Sequence, residues 1–214
     1  MKSIVIGAHL LRDDIEPIAS AITVGDLYLS AVEVPDDQPL GDREILMKVA
    51  NTRARLLEVA TFVAIRYGLA LSSADEALGK CASHLTRWKR VLTAHREHVE
   101  MTLIVAAATT MLRPDRHDFT NGADYLRALH RAQQSSNVDP TFRANAERLF
   151  DALSVKRRWE HRDEKSVELA ALVERSRLDD VRAAGEELRA TSPDVPFLLS
   201  GPWPLEVFAD ADRE

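Results

Sequence analysis

Apolar and polar positions follow two rhythms in the first half of this chain, one with a period of two and one with helical spacing. Ser3 to His9 is a short, β-branched apolar run bounded by Arg12-Asp13-Asp14, the pattern of a central strand. Ile22–Val24 and Tyr28–Val34 flank Gly25-Asp26, and the second run alternates, so the pair reads as a β-hairpin closed by a tight turn. Pro35 to Gly41 is a loop that delivers the chain to Asp42 as a helix N-cap. Ile45, Leu46, Val49, Leu56, Ala60 and Val63 then recur at helical spacing, with Arg53, Arg55 and Glu58 mostly opposite, which predicts an amphipathic helix. Phe62 to Leu71 predicts a strand at or overlapping its end. Ser73-Ala74-Asp75-Glu76 fits a capping box opening a second helix, whose core stripe is Leu78, Cys81, Leu85, Trp88 and Leu92. Val99 to Ala108 predicts a closing strand.

The order strand, hairpin, helix, strand, helix, strand places two helices on one face of an antiparallel or mixed sheet. The fold class is therefore α+β, with an N-terminal ferredoxin-like sandwich over residues 1–112. Arg113 to Asn121 is charged, contains Pro114 and lacks periodicity, which marks a domain boundary. Residues 113–214 then form a C-terminal α+β domain. Tyr125, Leu126 and Leu129 begin one helix. Asp139-Pro140 supplies an N-cap and a proline at the first helical position of the next, whose apolar face runs through Phe142, Ala146, Leu149 and Leu153, giving a long helical hairpin. Val155–His161 and Val167–Glu174 predict strands around a charged turn. A last helix over Leu178–Ala190 leads to a strand over Val195–Ser200. There is no sequence repeat, although the halves share an inventory of helices and strands.

Composition narrows the function. The chain has 214 residues, and 28 Lys plus Arg against 34 Asp plus Glu leave a net charge of −6, which opposes nonspecific attraction to phosphate backbones or anionic lipid. Nucleic acid is not the expected partner. A lone Cys81 makes no intramolecular disulfide, and the N-terminal apolar run is too short for a signal peptide, so the expected compartment is the cytoplasm. Met101 to Leu112, the longest nearly uncharged stretch, falls well short of the ~20 apolar residues that a bilayer span needs.

Candidate chemistry is sparse. His95, His98 and Glu100 form an H-x-x-H-x-E cluster, but a strand starting near Val99 turns Glu100 away from the histidines and nothing completes a coordination sphere. No metal and no cofactor is expected. Cys81 sits in an apolar stripe with His84 three residues on, and a buried thiol has a raised pKa and stays inert, which favours a core role over a Cys-His nucleophile. Lys156-Arg157-Arg158-Trp159 reads as a solvated strand face amid acidic neighbours. Arg66 interrupts an apolar run and needs a carboxylate, for which Glu100 on a neighbouring strand is the candidate. There is no Gly-rich phosphate loop, G-x-S-x-G or H-E-x-x-H, so nothing positive points to an enzyme.

The most informative segment is Leu198-Leu199-Ser200-Gly201-Pro202-Trp203-Pro204-Leu205-Glu206-Val207-Phe208. Pro202 and Pro204 each lock φ and withhold a donor, while Gly201 reaches backbone angles closed to other residues, so Trp203 is clamped in one orientation in a turn that is neither helix nor central strand. Such an indole is either a lid on the end of a small domain or an anchor offered to a partner.

Taken with the layout, Leu199-Ser200-Gly201-Pro202-Trp203-Pro204 resembles the terminal leucine, small hydroxyl and Gly-Pro-Trp-Pro-Pro signature of the gas vesicle accessory proteins of the GvpF/GvpL type, with Phe208 where that family carries an aromatic. Arg66-Tyr67-Gly68 resembles its Arg-Phe-Gly, Val99-Glu100-Met101 its Val-Glu before an apolar strand, and Gly122-Ala123-Asp124-Tyr125-Leu126 its glycine and Tyr-Leu pair. The chain departs from the pattern at Leu205-Glu206-Val207, where the family prefers a second proline and a tyrosine, and at Leu69-Ala70-Leu71-Ser72. The resemblance implies a non-enzymatic role: binding the apolar, aggregation-prone shell protein GvpA, and other accessory proteins, in vesicle assembly. Gly201, Pro202, Trp203, Pro204 and Phe208 become the candidate protein-binding residues, with Arg66, Tyr67, Gly68, Glu100 and Tyr125 as cleft or structural residues. The alternative is a small-molecule-binding or catalytic ferredoxin-like protein with Arg66, Tyr67 and Tyr125 lining an inter-domain cleft; a closed cavity with converging polar groups would distinguish it.

Overall fold

The computed structural model describes residues 1–107, 115–134, 138–163 and 165–209. It is an α+β protein whose chain divides into two compact units, Met1–Glu100 with Pro202–Glu214, and Met101–Gly201. The sequence places the boundary at 112/113 and assigns the Gly-Pro-Trp-Pro segment to the second half. In the structure the chain after Gly201 instead belongs to the first unit.

In the first unit β1 (Lys2–His9), β2 (Ser20–Val24) and β3 (Leu27–Val34) form an antiparallel meander in which Ser3 faces Glu33 and His9 faces Tyr28. As the alternation predicts, a tight turn at Gly25-Asp26 joins β2 to β3. Helix α1 (Arg43–Val59) starts at Asp42, whose carboxylate accepts the Glu44 N–H at 2.7 Å. Ile45, Val49 and Leu56 of α1 pack on Ile4, Ile6, Val32 and Phe62 of the sheet side. Leu46 is exposed and Val63 lies beyond the helix, so the buried stripe is narrower than the spacing suggested.

The strand predicted over Phe62–Leu71 is broken. β4 (Val63–Ala64) and β5 (Ala70–Leu71) both pair antiparallel with β1, Ala64 opposite Gly7 and Ala70 opposite Ile4. Residues 65–69 must therefore span only Val5 and Ile6 of β1. The excess loops out at Arg66-Tyr67-Gly68, where Gly68 takes φ +105°. Gly7 is needed at the β1 register shift, because a Cβ there would collide with the Phe62 ring and approach the Val63 carbonyl oxygen to 2.9 Å. The sheet order is β2-β3-β1-β4, with β5 also on β1.

The second predicted helix is two: α2 (Ala74–Cys81), capped by the Ser73 hydroxyl on the Glu76 N–H, and α3 (Leu85–Ala94). Cys81, Trp88 and Leu92 are buried as expected, whereas Leu78 is exposed.

The second unit contains most of β6 (His98–Ala106), then α4 (Gly122–Gln134), α5 (Pro140–Asp151), β7 (Ser154–His161), β8 (Ser166–Glu174), α6 (Leu178–Thr191) and most of β9 (Phe197–Trp203). Part of the predicted linker, Arg113 and Pro114, lies outside the described residues, as does Glu164 of the charged turn; Arg116–Asp118 form a short 3-10 turn. Asp139 caps α5 through the Phe142 N–H at 2.8 Å, with Pro140 in the first turn. Phe142, Ala146 and Phe150 of α5 meet Leu103, Leu169, Ala171 and Val173 of the sheet and Val181 and Leu188 of α6 in a closed apolar core. The sheet order is β7-β8-β6-β9. Each sheet thus places its internal hairpin to one side and its first strand between the third and the last.

Gly201-Pro202-Trp203 corrects the sequence expectation of a turn, since β9 runs through it. Pro202 is tolerated because β9 is an edge strand, where an absent N–H breaks no ladder, and Pro204 lies beyond the strand's end. Gly201, at φ +128°, supplies the irregularity before the chain leaves the sheet.

Candidate functional site

Beyond Trp203 the chain is short on regular structure of its own, and what holds it is a set of fixed backbone bonds. Leu205 forms a parallel bridge with Val63: its N–H donates to the Phe62 carbonyl at 2.9 Å and its carbonyl accepts the Ala64 N–H at 2.9 Å. Pro204, Leu205, Phe208 and Ala209 are buried. The next three N–H groups converge on one carboxylate. Glu100 Oε1 accepts from Glu206 at 2.8 Å and Phe208 at 2.9 Å, and Oε2 accepts from Val207 at 3.1 Å. Glu100 is only 2% exposed. Burial pushes its carboxyl up to about 7, outweighing the opposing pull of the three N–H donors, with the like charge of Glu206 adding to the rise.

This strap presents Trp203 beside α1. Pro202, Trp203 and Pro204 form one wall of a mostly apolar groove of about 430 Å³, and Leu46, Val49, Ala50, Ala54 and Leu57 of α1 form the other, with Arg53 and Tyr67 between. Trp203 is 47% exposed, and Leu46 and Met47 stand exposed on the adjoining first turns of α1. An indole half in a groove and half in water offers apolar area at small ordering cost, because its flanking prolines fix the backbone. Arg53 donates from Nη2 to the Ile65 carbonyl at 3.0 Å, and burial lowers its pKa while Glu206 opposes that fall. The Tyr67 hydroxyl donates to the Leu40 carbonyl.

Of the sequence candidates, Pro202, Trp203, Pro204 and Tyr67 come together at the groove, and Glu100 and Phe208 meet through a hydrogen bond. Phe208 is a core residue, not a surface anchor. The expected Arg66–Glu100 ion pair does not form: Arg66 is exposed on the looped-out segment, and Glu100 is occupied by backbone donors because no strand carries Arg66 toward it. Gly68 shapes that loop, and Tyr125 lies in the second unit edge-on to Phe119. Ala50 and Ala54 were not singled out from the sequence and Arg53 was placed there on the polar face, although Leu46 and Met47, apolar neighbours that one helix face cannot both bury, were a signal that α1 carries a second apolar surface.

The remaining clusters make local contacts. Burial raises the Cys81 thiol. His84 stacks on Trp88, and the His95 and His98 rings meet edge-on at 5.4 Å. Arg157 pairs with Asp151, Arg158 with Glu160 at 2.8 Å, and Trp159 Nε1 donates to Glu147. Among the described residues, no group of three His, Cys, Asp or Glu could hold a metal ion, and no helix is long and apolar enough to cross a membrane.

The molecule is thus an α+β protein whose distinctive surface is an apolar groove closed by a proline-braced tryptophan. The sequence profile of the family described as gas vesicle synthesis protein GvpL/GvpF matches residues 16–209, and the chain belongs to that family. Two solved structures share its fold. The gas vesicle protein GvpF from Microcystis aeruginosa aligns with a TM-score of 0.66 at 8% identity, covering 94% of this chain and 95% of that one. GvpF from Anabaena sp. PCC7120 aligns with a TM-score of 0.68 at 10% identity, covering 98% and 97%. No curated protein matches.

Proposed function

We propose that this chain is a non-enzymatic accessory protein of gas vesicle assembly, working in the cytoplasm, that holds the apolar shell protein GvpA, and with it other accessory proteins, through the Trp203 groove. The observation that carries this reading is the indole itself: a large, half-exposed aromatic on a backbone fixed by Pro202, Pro204 and Leu205, next to the exposed apolar residues of α1. A shell that excludes water needs strongly apolar subunits, whose surfaces and strand edges require cover before assembly. A rigid aromatic beside an apolar trough supplies such cover, and aromatics of this kind dominate interface energetics. In the first unit the order β2-β3-β1-β4, with helical turns over Arg12–Ala19 in place of a first helix, supports a ferredoxin-like reading of that domain.

The test is capture of purified shell protein by the wild type and by Trp203→Ala, with circular dichroism and melting temperature recorded for both. Loss of an interface anchor of this type costs about 2 kcal/mol, or about thirty-fold in affinity. Trp203 is half in solvent, so the variant should fold with nearly unchanged stability. Equal capture by a folded variant refutes the groove as the docking surface.

A further inference from the structure

Glu100 and the Glu206–Phe208 segment are 106 to 108 residues apart in sequence, yet three consecutive N–H groups of that segment end on its two carboxylate oxygens. A strand or helix would normally supply those acceptors from backbone carbonyls. Here no ladder supplies them at the start of the turn over residues 207–209, and a single buried side chain substitutes. Upstream, the Leu205 bridge is the neighbouring backbone fixture, and Trp203 lies two residues before it. Without the carboxylate, the buried Phe208 N–H and the half-buried Glu206 and Val207 N–H groups would lose their acceptor, which favours release of the segment into water over retention of the native path.

We propose that Glu100 is the positioning residue of the Trp203 docking surface, acting as a clasp that fastens the Glu206–Phe208 strap to the first unit and so sets the indole against α1. The proposal rests on the docking reading above for its functional consequence, but the clasp itself is independent of any partner. The oxygens divide the work unequally, since Oε1 takes two donors and Oε2 takes one. A glutamine keeps one acceptor oxygen and replaces the other with an N–H donor. Its favourable orientation places the oxygen on Glu206 and Phe208 and leaves the amide nitrogen facing the Val207 N–H. The clasp therefore predicts an amide-by-amide pattern that a merely space-filling carboxylate would not produce.

Amide hydrogen exchange, resolved by NMR on the full chain without partner at pH 8, where the Glu100 carboxyl is ionised, tests it in wild type, Glu100→Gln and Glu100→Ala. In the glutamine variant the Val207 amide should exchange about ten-fold or more faster while Glu206 and Phe208 keep most of their protection; in the alanine variant all three should lose it, with β1 and β3 amides little changed. Shell-protein capture is then measured for the same variants beside Trp203→Ala. Weaker capture by Glu100→Ala, together with the three unprotected amides, supports the positioning role. Unchanged exchange at residues 206–208 overturns the clasp, as does loss of protection spread equally over β1, β3 and the strap. If the alanine variant does not fold, the glutamine pattern decides alone. Should exchange follow the prediction while Trp203→Ala captures normally, the docking reading fails, and with it the functional role of the clasp, whereas the clasp as a structural fastening stands.

Discussion

The buried Glu100 carboxyl makes stability depend on pH in a direction opposite to that of most carboxylates. In the folded protein burial raises it from an ordinary 4.5 to about 7, whereas in the unfolded chain it is solvated and returns to the ordinary value. A group raised in this way binds its proton more tightly in the native state. Its contribution to stability is therefore fully present below about pH 4.5 and is lost as pH rises through about 7. The gap corresponds to about 3 kcal/mol, a large share of a typical folding free energy. Other groups titrate in the same window, so the clean measurement is a difference. Urea unfolding of the wild type and of Glu100→Gln, at intervals from pH 4.5 to 8, gives two stability curves, and subtraction removes whatever both proteins share. The wild type should lose about 3 kcal/mol relative to the variant across that range, most of it between pH 5 and 7. The nearby Glu206 charge adds to the raised value, so Glu206→Gln should shrink the difference without abolishing it. A flat difference curve refutes the claim that desolvation governs this group. A curve of opposite slope would show that the three N–H donors prevail and hold the carboxyl below its ordinary value.

Two further predictions concern the same unit. Gly7→Ala should destabilise it by about 3 kcal/mol, because the added methyl meets the fully buried Phe62 ring and the Val63 backbone, where neither can retreat; thermal or urea denaturation measures this, and near-wild-type stability would mean that the β1 irregularity yields easily. His9, buried against Phe62 with its Nε2 2.9 Å from Ser30 Oγ, has its pKa lowered by burial to about 3, so it is neutral when folded and costs stability as pH falls from about 6.5 toward 3; imidazole NMR shifts should remain those of the neutral ring at pH 5, and a protonated ring there would contradict the placement.

The local grammar of this chain was legible without coordinates. Asp42, Ser73 and Asp139 cap helices because a short oxygen-bearing side chain meets the first free N–H groups wherever a helix begins, and the Gly25-Asp26 turn joins β2 to β3 because both neighbours alternate. The Gly-Pro-Trp-Pro run marked a braced aromatic, since a backbone restrained by prolines is a property of the residues themselves. What failed was everything set by competition for a distant partner. Phe62–Leu71 looks like one strand, but β1 has only two residues to set against five, so the middle loops out and takes Arg66 with it. Glu100 looks like half of an ion pair, yet the donors that claim it come from a segment over a hundred residues later.

The sequence by itself determined where helices start, which residues are apolar and how stiff the backbone is around Trp203, because those depend on side-chain chemistry and neighbours within a few positions. The tertiary structure alone decided that the chain after Gly201 returns to the first unit, that Phe208 is core while Trp203 is surface, and that a buried carboxylate fastens the strap, because burial and hydrogen-bond partners are set by what the rest of the chain brings alongside.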